Sequence, residues 1–295
     1  MDGVLVIDKP SGPTSHDVVA FVRRVLRETR IGHTGTLDPL ATGVLPLVIG
    51  KATRLASLLS ATEKVYEAAV RLGAASDTYD AAGQLSDGRP TTGIGRSEVE
   101  RALESFLGTF EQMPPPFSAK KIGGVPAYKL ARKQKPTPLT AVAVTVHALE
   151  LLGIDEGVVR FRVRTSPGFY VRSLAHDLGM RLGCGAYLES LRRTRSGPFG
   201  VESAVGLDSL DRDPALARAR MVPLDDLVPE IPAVRVNELG AARVAHGNFL
   251  TLQHFTEKVT VPFLGLVRVI DRGGRLLAIA EPGADGALRP SIVLV

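Results

Sequence analysis

The sequence predicts a mixed α+β chain carrying a small β-rich appendage, and three observations carry that prediction. Short apolar runs interleave with stretches of helical period, and nothing in their order demands a regular parallel sheet. Pro223 to Pro232 holds three prolines and several acids and reads as a linker. Beyond it, Leu264 to Ile270, Arg275 to Ala280 and Ile292 to Val295 alternate with turn residues such as Asp271-Arg272-Gly273-Gly274. The expected division is a catalytic unit at residues 1–228 and a second unit at 229–295. At 295 residues the chain is long enough for two cores.

Taken in order, Val4 to Ile7 is an apolar run with the length of a buried strand, followed by the turn-like Asp8-Lys9-Pro10-Ser11-Gly12-Pro13. A helix is expected from about Ser15, because Val18, Val22 and Val25 share one face and Val19 and Leu26 widen it. Val44 to Ile49 is a second strand. Ser97-Glu98-Val99-Glu100 has capping-box spacing, and Val99, Ala102, Leu103, Phe106 and Leu107 continue it as an amphipathic helix. The proline- and lysine-rich stretch of about 112–140 is a poor core candidate and reads as an exposed excursion. Val158 to Arg164 is a strand, and Gly168 to Leu182 runs from a turn into a helix stopped by Gly183-Cys184-Gly185.

Composition narrows the function. An apolar fraction of 44% and a charged fraction of 23% are ordinary for a globular chain. No uncharged apolar run reaches about 18 residues, so no membrane span is expected. Met1-Asp2-Gly3-Val4 lacks a secretory pattern, and the single cysteine, Cys184, fits a reducing compartment, so a cytoplasmic protein is expected; a monomer is expected too, though no feature of the sequence fixes the oligomeric state. Net charge is +5 with a pI near 9.5, which favours an anionic partner. Its distribution is more telling. Between Gln112 and Leu149 there is no acid, while Lys120, Lys121, Lys129, Arg132, Lys133 and Lys135 all fall there. Arg192-Arg193-Thr194-Arg195 forms a second cluster. In Arg160-Phe161-Arg162-Val163-Arg164 a strand would send the arginines to one face. Together the three clusters favour a polyphosphate backbone.

The most informative stretch is Gly32-His33-Thr34-Gly35-Thr36-Leu37-Asp38-Pro39-Leu40-Ala41-Thr42-Gly43-Val44-Leu45. Asp38 is the only acid between Glu28 and Glu63, with Arg30, His33, Lys51 and Arg54 close in sequence. Neighbouring positive charge keeps such a carboxylate ionised, and Pro39 biases it toward extended backbone. Asp-Pro also reads as a turn or helix start; the alternative is a carboxylate presented as a nucleophile. Metal-ligand spacing, a P-loop, a dinucleotide fingerprint and a Gly-x-Ser-x-Gly elbow are all missing, so no cofactor is expected.

The fourteen residues resemble the catalytic motif of the TruB family, the tRNA pseudouridine(55) synthases. The resemblance continues through Val6-Ile7-Asp8-Lys9-Pro10, Lys64-Val65-Tyr66, Asp77-Thr78-Tyr79-Asp80-Ala81-Ala82-Gly83, Pro115-Pro116-Phe117-Ser118-Ala119-Lys120-Lys121, Gly168-Phe169-Tyr170-Val171-Arg172-Ser173 and Gly183-Cys184-Gly185-Ala186. Phe117 stands where the family usually has tyrosine. The C-terminal region is more loosely similar to a PUA-type RNA-binding module.

The resemblance implies a largely antiparallel sheet flanked by helices, and a cofactor-free isomerase acting on uridine 55 in the T arm of tRNA. It makes Asp38 the nucleophile, at C1′ of the ribose or C6 of the ring. Tyr66 would stack on the uracil and take the C5 proton, and Arg172 would pair with Asp38. Tyr170 and Leu191 would wall the pocket, and Asp80 would join the Arg172 charge network. His33 would fill the gap left by the flipped base, while Lys9, Lys120 and Lys121 would contact the RNA. Read on their own, Tyr66 is also an ordinary strand tyrosine, Leu191 a core leucine and Asp80 a turn cap. A non-catalytic RNA-binding factor and a two-carboxylate hydrolase are the competing functions.

Overall fold

The computed structural model describes residues 1–117, 121–122, 125–126, 140–257, 264–283 and 286–295. Strand β1 (Gly3–Lys9) leads into helix α1 (Ser15–Leu26). Thr14 caps that helix: its Oγ1 accepts from the Asp17 amide at 3.1 Å, and the Asp17 carboxylate accepts from the Thr14 amide at 2.8 Å. Val18 and Val22 are fully buried, as the predicted stripe requires. Strands β2 (Ile31–His33) and β3 (Thr42–Ile49) follow, then helix α2 (Ala56–Ser60) and strand β4 (Lys64–Leu72).

Helix α3 (Arg96–Glu104) begins one residue before the predicted Ser97 cap. Gly95 takes that place, its amide donating to Glu98 at 3.0 Å. The helix also stops short of Phe106 and Leu107; Phe106 is buried and Leu107 is exposed. Strands β5 (Gly108–Gln112), β6 (Lys121–Ile122), β7 (Val125–Pro126), β8 (Val142–Asp155) and β9 (Val158–Thr165) precede helix α4 (Val171–Arg181) and the long β10 (Ala186–Ser196). Short strands β11 (Phe199–Gly200), β12 (Val205–Gly206) and β13 (Val222–Pro223) surround helices α5 (Leu207–Arg212) and α6 (Ala215–Ala219). The chain closes with β14 (Ala233–Arg235), α7 (Glu238–Ala245), β15 (Val267–Ile270), β16 (Leu276–Pro282) and β17 (Leu288–Val293).

Among the described residues one sheet runs β12-β1-β3-β10-β4-β9-β8-β5, and only β1–β12 and β3–β10 pair in parallel within it. This is the mixed, largely antiparallel α+β architecture the sequence predicts. A second sheet, β14-β15-β16-β17, follows in the chain, and its last strand starts four residues before the predicted Ile292. The apolar run of β1 is buried on both faces because it serves two cores. Leu5 and Ile7 join the larger one; Val4 and Val6 join Val44, Val48, Leu55 and Leu59 in another, which also takes Leu276 and Ile279 from the second sheet and Leu294 just beyond it. The stretch read as a linker is part of this packing: Leu227 and Val228 are buried in the shared cluster. It is a docked segment, because its apolar pair outweighs the solubility of its acids.

Candidate active site

Where β3, β10 and β4 lie side by side, a cleft of about 500 Å³ opens, and Asp38 lines it. The hairpin that carries Asp38 is fastened on every side. Leu37 is buried, and its amide and carbonyl both bond the Ser15 hydroxyl, at 2.8 and 3.0 Å. The Gly12 amide donates to the Pro39 carbonyl at 2.8 Å, and Ala41 closes a turn onto the Asp38 carbonyl at 3.0 Å. The turn reading and the presented-carboxylate reading of Asp38-Pro39 therefore both describe it: the backbone turns while the side chain, 36% exposed, faces the cleft. Gly43, at φ +98°, is where β3 presses against β10; a Cβ there would lie 2.2 Å from the Arg193 carbonyl oxygen.

Helix α4 supplies the partner. Arg172 approaches Asp38 with two nitrogens, Nε to Oδ2 at 2.9 Å and Nη2 to Oδ1 at 3.3 Å, and its side chain is only 7% exposed. The same guanidinium donates to the Thr78 carbonyl at 3.3 Å and the Phe117 carbonyl at 3.0 Å, with Asp80 Oδ2 3.8 Å away. Such a fork fixes direction as well as charge. Burial raises the Asp38 carboxyl above its ordinary value; Arg172 opposes that rise and Asp80 adds to it. The effective cations are Arg172 and, secondarily, Lys9, and not the sequence neighbours Arg30, Lys51 and Arg54.

The walls come from three elements. Tyr66 on β4 and Leu191 on β10 line the cleft beside Asp38, as do Phe169 and Tyr170 at the start of α4. Gln112 holds that start in place, its amide donating to the Tyr170 carbonyl at 3.0 Å and its oxygen accepting from the Tyr170 amide at 2.8 Å. The floor contains two cations that sequence reasoning did not assign to the site. Arg193, only 1% exposed, faces Tyr66 across the β10–β4 register and donates to the carbonyls of Val44 at 2.7 Å and Gly35 at 3.0 Å. Lys64 donates to the carbonyls of Ser60 and Thr62, both at 2.5 Å, and burial pushes it down to about 8.

Two family models cover most of the chain. Residues 23–171 match the TruB family pseudouridylate synthase (N terminal domain), and residues 172–229 match the tRNA pseudouridylate synthase B C-terminal domain. The tRNA pseudouridine synthase B of Solibacter usitatus is 44% identical over 100% of both chains. That of Aromatoleum aromaticum is 42% identical over 98% of this chain and 92% of its own. This chain belongs to the TruB family. Among solved structures, a Cbf5-Nop10-Gar1 complex superposes with a TM-score of 0.75 at 29% identity, over 99% of this chain and 85% of that one. An H/ACA RNP bound to a substrate RNA containing 2′-deoxyuridine gives 0.73 at 27% identity, over 99% and 85%.

The remaining sequence-predicted residues are scattered around this TruB-family site. Asp80 is buried in the Arg172 network, its Oδ1 accepting from the Thr78 hydroxyl at 2.7 Å and the Ala82 amide at 3.0 Å. His33 stands outside the cleft lining, edge-on to His16 at 5.6 Å; burial keeps its imidazole below the usual histidine value. Lys9 is fully buried, donating to the carbonyls of Pro10, Pro39 and Ala41 at 2.9, 3.3 and 2.7 Å, and burial lowers it to about 8. It braces the Asp38 hairpin through these carbonyls. Lys120 lies outside the described residues, and Lys121 begins β6.

Two of the three basic clusters need correction as well, while Lys129, Arg132, Lys133 and Lys135 of the first lie outside the described residues. The strand alternation of β9 does expose Arg162 and Arg164, but Arg162 is paired with Glu67 at 2.8 Å and Glu150 at 3.0 Å, and Arg164 with Glu63 at 2.9 Å. In the second cluster Arg192 is paired with Asp8 at 2.8 Å and Arg193 is buried, which leaves Arg195 exposed. Cross-strand carboxylates, distant in sequence, hide much of the charge that looks free in the sequence.

Proposed function

We propose that this chain isomerises uridine to pseudouridine in tRNA, at position 55 of the TΨC loop, with Asp38 as the nucleophile. One observation carries the reading: a partly exposed carboxylate gripped by a buried arginine fork at the mouth of an aromatic-walled cleft. The base must leave its stack to reach that cleft, at a cost of a few kcal/mol. His33, on the strand entering the hairpin, fills the gap left by the base. Asp38 bonds to C1′ or C6 and the N1–C1′ bond breaks. The uracil turns and rejoins C1′ through C5, the bond to Asp38 breaks to return the free carboxylate, and Tyr66 receives the C5 proton while N1, freed from the glycosidic bond, takes one up. No oxidant or reductant is consumed. Arg172 keeps the carboxylate ionised and aimed until it reacts. Residues 229–295 act as a PUA-like RNA-binding module, supported by their own sheet and apolar cluster. The protein works as a cytoplasmic monomer on the T arm.

Purified protein should release tritium from tRNA labelled at C5 of uridine, and Asp38→Asn should stop that release while tRNA binding persists. Retained turnover in Asp38→Asn removes the nucleophile assignment. Binding without turnover in the wild type would favour a non-catalytic RNA-binding factor.

A further inference from the structure

Outside the cleft lining, Tyr79 and His176 stack with centroids 3.9 Å apart and planes 10° from parallel. Tyr79 holds φ +66°, a left-handed conformation that a side chain with a Cβ adopts only at a cost. Both of its chain neighbours reach Arg172: Thr78 through its carbonyl at 3.3 Å and Asp80 through its carboxylate at 3.8 Å. The backbone of Tyr79 is itself tied down, its amide donating to Ser76 at 3.1 Å and its carbonyl accepting from Leu188 at 3.0 Å.

His176 lies four residues after Arg172 on α4, so both side chains rise from one helix face. The 76–83 turn therefore meets that face at two levels, with Thr78 and Asp80 at Arg172 and Tyr79 at His176. The His176 Nδ1 is buried and makes no hydrogen bond among the described residues, so stacking holds the ring at that edge. Burial also keeps this imidazole below the usual histidine value, against the pull of Asp177.

We propose that the Tyr79–His176 stack is a positioning device: it docks the Thr78–Asp80 turn on α4 and so holds the Arg172 fork on Asp38. The proposal rests on Asp38 being the nucleophile. Neither ring lines the cleft, so the stack acts on turnover and not on RNA affinity.

Glycine is the decisive substitution, because it suits the left-handed backbone while removing the ring. In the full chain, Tyr79→Gly should keep the melting temperature of the wild type yet lower kcat for tritium release about tenfold, with KM within about twofold. His176→Ala should give the same split, and the double variant should lose no more than either single one. Tyr79→Phe, which keeps the stack, should stay within about threefold of the wild type. Wild-type kcat in both Tyr79→Gly and His176→Ala overturns the proposal. So does a Tyr79→Phe as slow as Tyr79→Gly, which would assign the effect to the hydroxyl. Asp38→Asn in the same assay keeps the two ideas apart: a dead Asp38→Asn beside fully active Tyr79→Gly and His176→Ala variants rejects the stack alone.

Discussion

At the scale of single residues, the site turns on opposing influences at one carboxylate. Burial and the Asp80 carboxylate raise the Asp38 pKa from 3.8, while Arg172 and Lys9 lower it, and the balance lies on the raised side. A raised pKa makes the carboxylate a better nucleophile, provided it is still ionised at the working pH. As the proposed nucleophile, Asp38 would react in its deprotonated form, so kcat/KM should fall as pH drops through this pKa, and its acid limb should lie above 3.8. Asp80→Asn removes a negative charge that raises the value, and the limb should then move to lower pH. A profile measured from about pH 4 to 7 checks this; a limb that stays put or moves up would mean that Asp80 does not act on Asp38 through its charge. Asp38 and Arg172 are legible in the sequence because their motifs are local. Arg193 is not, since its burial comes from the β3–β10–β4 register, and no window of a few residues around Arg192-Arg193 encodes that.

Elements hold the hairpin in a frame that tolerates little change. β3 leaves the Asp38 turn through Thr42-Gly43 and at once pairs in parallel with Arg192 and Arg193. Gly43 meets fixed backbone there, whereas Gly12, also left-handed at φ +109°, has nothing within 4 Å of the point a Cβ would occupy. Alanine at Gly12 should therefore cost only the conformational strain, about 1 kcal/mol. Gly43→Ala adds a backbone collision that no rotamer relieves, and its cost should exceed about 3 kcal/mol. Urea unfolding midpoints of the two variants test the difference, and equal midpoints would mean that β10 can move away from β3. Apolar runs and helical periodicity make several elements legible: β1, β3, β9, α1 and α4 all occur where the pattern puts them. The α3 start is shifted because a glycine cap leaves no side-chain oxygen to recognise, only the Glu98 that reaches back to it. The charge on β9 reads as free in the sequence because its partners, Glu63, Glu67 and Glu150, come from other strands.

On the scale of the whole molecule, the two sheets share apolar surface that sequence periodicity could not have revealed. A run buried on both faces shows no alternation, so Val4-Leu5-Val6-Ile7 announces a buried strand without saying what covers each side. Val4, Val6, Val44, Val48, Leu55 and Leu59 lie on the face reached by Leu276, Ile279 and Leu294. Polar ties cross at the same place: Asp225 accepts from the Leu276 amide at 2.7 Å, and Arg54 donates to the Val293 carbonyl. Fully burying each such side chain is worth about 1.5–3 kcal/mol, and a net stability of about 5–15 kcal/mol leaves little room to uncover several of them. A chain ended at residue 228 should consequently aggregate or bind an apolar dye and lose its cooperative unfolding. The full chain should melt in one calorimetric transition, coincident with loss of near-UV dichroism, because neither sheet can release the shared cluster alone. Two separated transitions, or a 1–228 fragment that stays monomeric and melts cooperatively, would show instead that the cluster is a late contact between bodies already stable by themselves.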